Sequence, residues 1–422
     1  MLRRDLLRAV VGLGIGAANT NLSAMAEQQA RGGRRASPAP LRAGAAKIDI
    51  TPDEPLCLQG YTDPGNRVSE GVHDRLYLRA FAFGSGTSRL VLVSCDLADT
   101  ALGAYYQRAV ADALGLRPDQ LLLCAIHTHS GPLLTLNPSY PNNVEYTAGL
   151  RQAFVSVVDR ALRAMAPARL AIGRGRSPVG VSRRKILADG RVEMAANPQG
   201  AADPEVLVLA ASRPGGRPFA VLFDYACHSR SLGSPNKLIS GDILGIAEQE
   251  VERSRDGVIA GALAGASGDV DPVSVVDGFA ADGDRPPETV RLGRLLGEEV
   301  VRATGTSREP TPAARVRSTA ETLVLPPKHA GQIKSVGVTL GAIDEVAFVG
   351  LDCEASVEVG LAIKAASPFA ATFVISNCNG WTGYLPTARQ HAEGGYEVEH
   401  TGFGPSAGDE LAGKVVEMLR RL

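Results

Sequence analysis

Six apolar runs, each breaking off into titratable or polar side chains, constrain this chain more than any other feature. They are RLVLVSCDL (89–97), QLLLCAI (120–126), FAVLFDYA (219–226), VIAGALAG (258–265), EVAFVGLDC (345–353) and ATFVISNC (371–378). Runs this short and this apolar read as strands buried on both faces. Helical patterns alternate with them over 102–114, 144–166, 243–254, 286–304, 355–366 and 407–421. In VEYTAGLRQAFVSVVDRALRAM (144–165) the apolar positions recur at three and four with charges opposite, as on a helix packed to one side of a sheet. The alternation predicts a layered α/β fold, a mostly buried sheet flanked by helices. A first strand is expected near Ala45, in AAKIDITP. The stretch REPTPAARVR (308–317) either separates two lobes or runs as a surface connector, and no internal repeat is legible.

In open α/β sheets, ligands bind beyond the carboxyl ends of the strands. Here those ends carry Asp96; His127 and His129; His228, with Asp242 a little further on; Asp269 and Asp271; Glu354; and Asn379, Trp381 and Tyr384. In CAIHTHSGP the strand period of two predicts that His127 and His129 face the same way. Neutral imidazoles and carboxylates suit zinc, and a catalytic zinc site keeps one position open for water. His127, His228 and Glu354 are the expected ligands. Zinc would lower the pKa of its water toward about 7, and His129, set beside the ion, would pass a proton to a leaving group. Each residue also has a plainer reading. A histidine at a strand end is commonly satisfied by hydrogen bonds. Glu354 suits the first turn of a helix over 355–366. Asp96 and Asp269 suit loops that need acceptors for backbone N–H groups. His73 and His391 follow weaker patterns, and His329 and His400 read as solvated surface.

The formal net charge of -1 excludes the strongly basic surface of a nucleic-acid binder. The first residues, MLRRDLLRAVVGLGIGAANTNLSAMAEQ, read as a twin-arginine export signal over 1–26, cut after Ala24-Met25-Ala26. A Pro/Gly/Arg linker over 27–43 follows, then a catalytic domain over 44–422. The expected location is periplasmic or secreted. No later segment has the roughly 18 consecutive apolar residues of a membrane span, so contact with a membrane surface would be transient. The six cysteines sit mostly in apolar runs and read as free, buried thiols; one bridge stays open, without assignable partners. No Gly-x-Ser-x-Gly elbow follows a strand, which argues against a metal-free serine hydrolase.

Five stretches, QGYTDPGNRVSEGVHDRLYLRAF (59–81), LLLCAIHTHSGP (121–132), DYACHS with ISGD (224–242), ASGDVDP (266–272), and NGWTGYLPT with GGYE (379–397), follow one another as in a known family. On them the chain resembles the catalytic domain of the neutral ceramidases, zinc amidases that split ceramide into sphingosine and fatty acid. The resemblance implies zinc held by His127, His228, Glu354 and Tyr384, and an acid/base role for His129. It also implies that Arg183, or its neighbour Arg184, and Tyr396 polarise the scissile carbonyl, where charge develops. The family's C-terminal β-sandwich has no counterpart before Leu422. The family's Gly-Asp-x-Ser-Pro reads Gly268-Asp269-Val270-Asp271-Pro272 here, so Asp271 stands where the family has an active-centre serine. The implied function is metal-assisted hydrolysis of an N-acyl substrate, ceramide-like or otherwise. The alternatives are hydrolysis of a small polar amide or ester, and a zinc-retaining binding protein disabled by Asp271.

Overall fold

The structure is a computed structural model and describes residues 39–61, 65, 67–275, 288–305 and 315–422. Strand β1 (Arg42–Asp49) pairs antiparallel with β2 (Tyr77–Ser85), which turns tightly into β3 (Ser88–Cys95). Helix α1 (Gly103–Leu114) crosses to β4 (Leu121–Ala125), parallel to β3, and α2 (Pro141–Arg163) follows. The same order then recurs as β5 (Arg169–Arg176), β6 (Glu205–Ser212), β7 (Pro218–Tyr225), α3 (Asp242–Ser254), β8 (Ile259–Ala264) and α4 (Glu288–Gly305). It recurs again as β9 (Val316–Leu325), β10 (Lys334–Ile343), β11 (Val346–Leu351), α5 (Val357–Ala366), β12 (Ala371–Ile375) and α6 (Ala407–Arg421). In each module the first strands pair antiparallel and the last pair is parallel across a helix. A repeat invisible in the residues is therefore present in the topology, and in place of the expected single sheet the described residues form six, three of them the mixed sheets of these modules.

Strand alternation explains how the modules pack. Phe81, Leu92 and Leu122 of the first sheet, Leu207, Leu222 and Leu263 of the second, and Phe348, Phe373 and Ile375 of the third meet in one central cluster. The opposite faces lie under helix pairs: Val93 and Leu123 under Phe154 of α2, Val221 and Phe223 under Leu296 of α4, Val349 and Val374 under Val415 of α6. Fully burying side chains of this size contributes about 1.5–3 kcal/mol each. Because the sheets share one centre, the carboxyl ends of their parallel strands converge. Thr128 bridges Ser229 and Cys124 bridges Cys378; Ser376 N–H donates to Ala264 O at 2.9 Å.

All six expected strands and helices are present, with shifted ends. Residues 286 and 287, the expected export signal, linker residues 27–38 and connector residues 308–314 lie outside the described residues. β1 begins at Arg42, inside the stretch that reads as linker, because Leu41 and Ala43 are buried and Arg42 pairs with Gly84. Pro40–Leu422 forms one compact unit rather than two lobes. Among the described residues no helix is long and apolar enough to cross a membrane, and all six cysteines are buried, free thiols.

Candidate metal centre

β4 ends at Ala125, so strand alternation does not orient His127 and His129. A turn does. His127 adopts a left-handed backbone (φ 61°), and His129 N–H donates to Ser229 O at 2.9 Å, lacing this segment to the one carrying His228. Gly60 (φ 114°) closes on the turn so tightly that a Cβ would come within 2.5 Å of His129 Cγ. From the other side, a Cβ on Gly268 would lie 2.7 Å from Glu354 O, so only glycine lets the second and third modules meet there.

His127 Nδ1 donates to Ala98 O at 2.5 Å and His228 Nδ1 to Ser267 O at 2.7 Å. These carbonyls fix the tautomers and turn each Nε2 lone pair inward. Both Nε2 atoms stand 3.3 Å from the same oxygen, Glu354 Oε2, which has no hydrogen-bond partner although buried. His129 Nε2 lies 3.4 Å from His127 Nε2. Charge-assisted N–H···O bonds run about 2.7–2.9 Å, so these separations are long for ion pairs. They match the edges of a tetrahedron: ligands about 2.0–2.1 Å from zinc stand about 3.3–3.4 Å apart. Lone pairs converging on a carboxylate repel unless a cation lies between them. The buried group His127, His129 and His228, with ligand atoms within 4.8 Å of one another, could hold a metal ion. His129, expected beside the ion rather than on it, is near enough to ligate.

Burial pushes the Glu354 carboxyl up, but His127 and His228 more than offset it and hold it well below the usual range. Burial, then the neighbouring His127 and His228, holds His129 well below an ordinary imidazole, so it is neutral at neutral pH. For His228, burial and the Arg183 cation act in the same direction. Glu354 is not in a helix turn: it precedes α5 and pairs in register with Tyr384. Trp381 Nε1 donates to Glu354 Oε1 at 2.7 Å.

Arg183, rather than Arg184, faces the site. Its Nη1 is 3.5 Å from His228 Nε2 and 3.2 Å from Asp271 Oδ1, its Nε donates to Glu397 Oε1 at 2.8 Å, and its Nη2 to Gly268 O at 2.7 Å. Its guanidinium lies 5.5 Å from the ring centroids of both Tyr384 and Tyr396. Arg184 turns toward Glu397, Glu393 and Gly394 O. Asp271 pairs with Arg183 and, through its other oxygen, with Arg230 Nη1 at 3.2 Å. Burial raises its carboxyl, and those two cations more than reverse the effect, leaving it below the usual range.

A cavity of about 440 Å³ opens over the group, lined by His127, His129, Arg183, Glu354, Tyr384 and Tyr396, among others. Gln59, Tyr61, Asp99, Met194 and Arg230 also line it, and the sequence reading does not single them out. Arg230 stood within reach of such a reading, two residues past His228 in CHSR. His400, expected on the surface, is exposed but stacks on Tyr396 at 4.0 Å and lines the cavity mouth. A larger cleft of about 540 Å³, beside Arg89, Arg317 and Leu422, contains none of these groups. Asp96 and Asp269 take the plainer role. Asp96 accepts from Tyr77 N–H at 2.8 Å and pairs with buried Arg79, and Asp269 accepts from Val357 N–H at 2.7 Å. Asp242 likewise accepts the N–H groups of Ser231 and Leu232.

Residues 41–287 match the family described as neutral/alkaline non-lysosomal ceramidase, N-terminal. Similar curated proteins include the neutral ceramidase of Pseudomonas aeruginosa, 28% identical over 256 residues, covering 56% of this chain and 38% of that protein. The neutral ceramidase of Mycobacterium tuberculosis is 30% identical over 249 residues, 51% of this chain and 36% of that protein. Neutral ceramidase A of Dictyostelium discoideum is 28% identical over 243 residues, 51% and 32%. The matched segments thus span only about a third of these relatives' own length. The crystal structure of the P. aeruginosa neutral ceramidase superposes with a TM-score of 0.75 at 20% identity, covering 91% of this chain and 75% of that chain. A ceramidase complexed with C2 gives 0.76 over 91% and 76%. The fold is shared with those structures, and the family match over more than half of the chain settles its place: this chain belongs to the neutral/alkaline non-lysosomal ceramidase family.

Proposed function

We propose that this chain is a zinc-dependent hydrolase of N-acyl amide bonds, with ceramide, the substrate its relatives are named for, as the leading substrate. The observation that carries the metal reading is the unpartnered Glu354 Oε2 set 3.3 Å from two inward-facing imidazole nitrogens. His127, His228 and Glu354 would hold the ion, with Tyr384, in register beside Glu354, as the fourth ligand. When bound, zinc supplies Lewis acidity and makes water a stronger acid.

The remaining work falls to the chain's own groups. Neutral His129 takes a proton from the attacking water at a ring nitrogen and returns it to the departing amine nitrogen. Arg183, clamped by Asp271, Glu397 and Gly268 O, presents a fixed positive charge toward the oxygen on which negative charge develops. Tyr396 supplies a second donor there. Trp381 keeps the Glu354 carboxylate oriented.

A second reading keeps the chemistry and changes the amine: a smaller, polar N-acyl substrate. Arg230 favours it, because it brings a cation to the cavity wall where an aliphatic tail would gain nothing. The twin-arginine pattern of residues 1–26 supports action outside the cytoplasm, which N-terminal sequencing of exported protein would read directly.

Zinc analysis of the purified protein, with turnover of a fluorescent ceramide beside short N-acyl amides and esters, tests the proposal. Stoichiometric zinc with ceramide turnover is expected. Turnover of the short amides alone moves the assignment to the second reading. Zinc without any turnover, with activity appearing in Asp271→Ser, identifies a disabled binding protein. Full activity after chelation removes the metal altogether.

A further inference from the structure

We propose that Cys124 and Cys378 are a disulfide-forming pair, joining on oxidation into a cross-strand bridge directly behind the candidate metal centre. Their sulfurs lie 3.7 Å apart although the residues are separated by 254 positions. Asn379 N–H donates to Leu123 O and Ala125 N–H to Asn377 O. Those two bonds make Cys124 and Cys378 the non-hydrogen-bonded pair of an antiparallel bridge. Such pairs bring Cα atoms to about 4.5 Å with their side chains close, inside the span of about 4.4–6.8 Å that a disulfide needs. Closing the sulfurs to about 2.05 Å then requires side-chain rotation and little backbone movement.

Among the described residues no other two cysteines face each other across a bridge, and Cys57 is bridged to Val68. Cys124 and Cys378 share the central cluster. Cys95, on the neighbouring strand, faces the opposite side of the sheet under α1 and α2. Cys227 and Cys353 lie in the other two outer clusters.

Cys124 stands three residues before His127, and Cys378 three residues before Trp381, the donor to Glu354. Asn377 (φ 53°) and Asn379 (φ 64°) flank Cys378 in left-handed conformations, which are costly for most residues with a Cβ and which Asn visits more readily than others. A bridge would hold that strained turn and tie the first module to the third. The reaction balances by thiol–disulfide exchange: each thiol gives up its hydrogen, one S–S bond forms, and a disulfide oxidant is reduced to two thiols. Both thiols are buried, so exchange belongs to folding or to transient opening.

The test uses the full chain, fully reduced, then unfolded and refolded with oxidised glutathione. Alkylation under denaturing conditions and non-reducing peptide mapping follow. Two of the six thiols should become protected, with one linked peptide pair containing Cys124 and Cys378 and a mass lower by two hydrogens. The thermal midpoint of the oxidised form should exceed that of the reduced form by about 5 °C. Cys124→Ala and Cys378→Ala should each abolish the linked pair and the midpoint difference. Six reactive thiols after oxidation, a glutathione adduct at either position, or a different linked pair would overturn the proposal, whatever the metal content or activity.

Discussion

Trp381 Nε1 donates to Glu354 Oε1 at 2.7 Å, which leaves Oε2 turned toward the imidazoles of His127 and His228. The chain's single tryptophan thus acts on the proposed ion through a carboxylate. Partners of this kind contribute about 10–100-fold in metal affinity or activity. Trp381→Phe keeps the ring and removes the donor, so zinc affinity in a chelator competition should fall by that factor with the thermal midpoint of zinc-loaded protein little changed. Unchanged affinity would mean that the indole orients nothing.

Removing the proposed ligands should have a larger effect. His127→Ala and Glu354→Ala should lose stoichiometric zinc, read by elemental analysis, while far-UV circular dichroism stays that of the wild type. Chelation of the wild type should lower the thermal midpoint, because an ion that binds only the folded chain stabilises it by about 2.7 kcal/mol at a concentration 100 times its Kd. Wild-type protein purified with no metal, or a chelated form as stable as the loaded one, would count against the centre.

His129 separates two roles that the geometry leaves close together. As a proton carrier, its change to alanine should lower kcat by about 10²–10⁴-fold and leave zinc in place. As a ligand, it should take zinc with it. Paired metal and kinetic measurements on His129→Ala decide between them, and zinc loss would move His129 into the ligand set.

The sequence showed best the strands that run apolar and then break into polar residues. The expected strands are β1 and β3, β4, β7, β8, β11 and β12, the last six being the parallel pairs whose carboxyl ends carry the polar residues. β6, EVLVLAAS, and β10, KSVGVTLGAI, are just as apolar, but they run antiparallel, so their carboxyl ends point away from the centre and carry no chemical signature. β5 and β9 are outer strands rich in Arg, Gly, Thr and Glu, with no continuous apolar run to find. At the site, His127, His228 and Glu354 were legible because each closes an apolar run. Tyr61 and Met194 reach the cavity from a turn and from an exposed strand, and only tertiary packing places them there. The Thr128–Ser229 bridge, not strand alternation, sets the orientation of His127 and His129.

Asp224 offers a test of buried charge away from the centre. Its carboxylate is buried, 3.2 Å from Lys364 Nζ, and that ammonium is shared with Asp203 at 2.9 Å. Burial raises the Asp224 carboxyl to about 6, with Lys364 opposing the rise. The folded chain therefore binds a proton that the unfolded chain releases across the window from 3.8 to about 6. Its contribution to stability is present below that window and falls as pH rises through it, by about 3 kcal/mol for a shift of this size. Asp224→Asn cannot titrate, so its stability relative to wild type should improve as pH rises from about 4 to about 7. Urea unfolding of both proteins across that range measures the difference; a constant difference would show that the group keeps an ordinary carboxyl.

Asp271 and Arg230 should decide which amine the cavity accepts. Asp271 is shared between Arg183 and Arg230, so Arg230 is only partly neutralised while its guanidinium lines the cavity. A substrate carboxylate reaching it would gain a charge-assisted bond, about 1.5–3 kcal/mol, or roughly tenfold to a hundredfold in kcat/KM. Arg230→Gln removes the charge and keeps a polar side chain of similar reach. It should lower kcat/KM for N-acyl amines bearing a carboxylate by that factor and leave neutral N-acyl amines within about threefold. Asp271→Asn should shift the ratio the other way, since Arg230 would then lack its counter-charge, and Arg183 would still be held by Glu397 at 2.8 Å and Gly268 O at 2.7 Å. The measurement is the ratio of kcat/KM for matched acyl chains with and without the carboxylate. Equal losses on both substrates in Arg230→Gln would make Arg230 a structural clamp and return the cavity to neutral, ceramide-like amines.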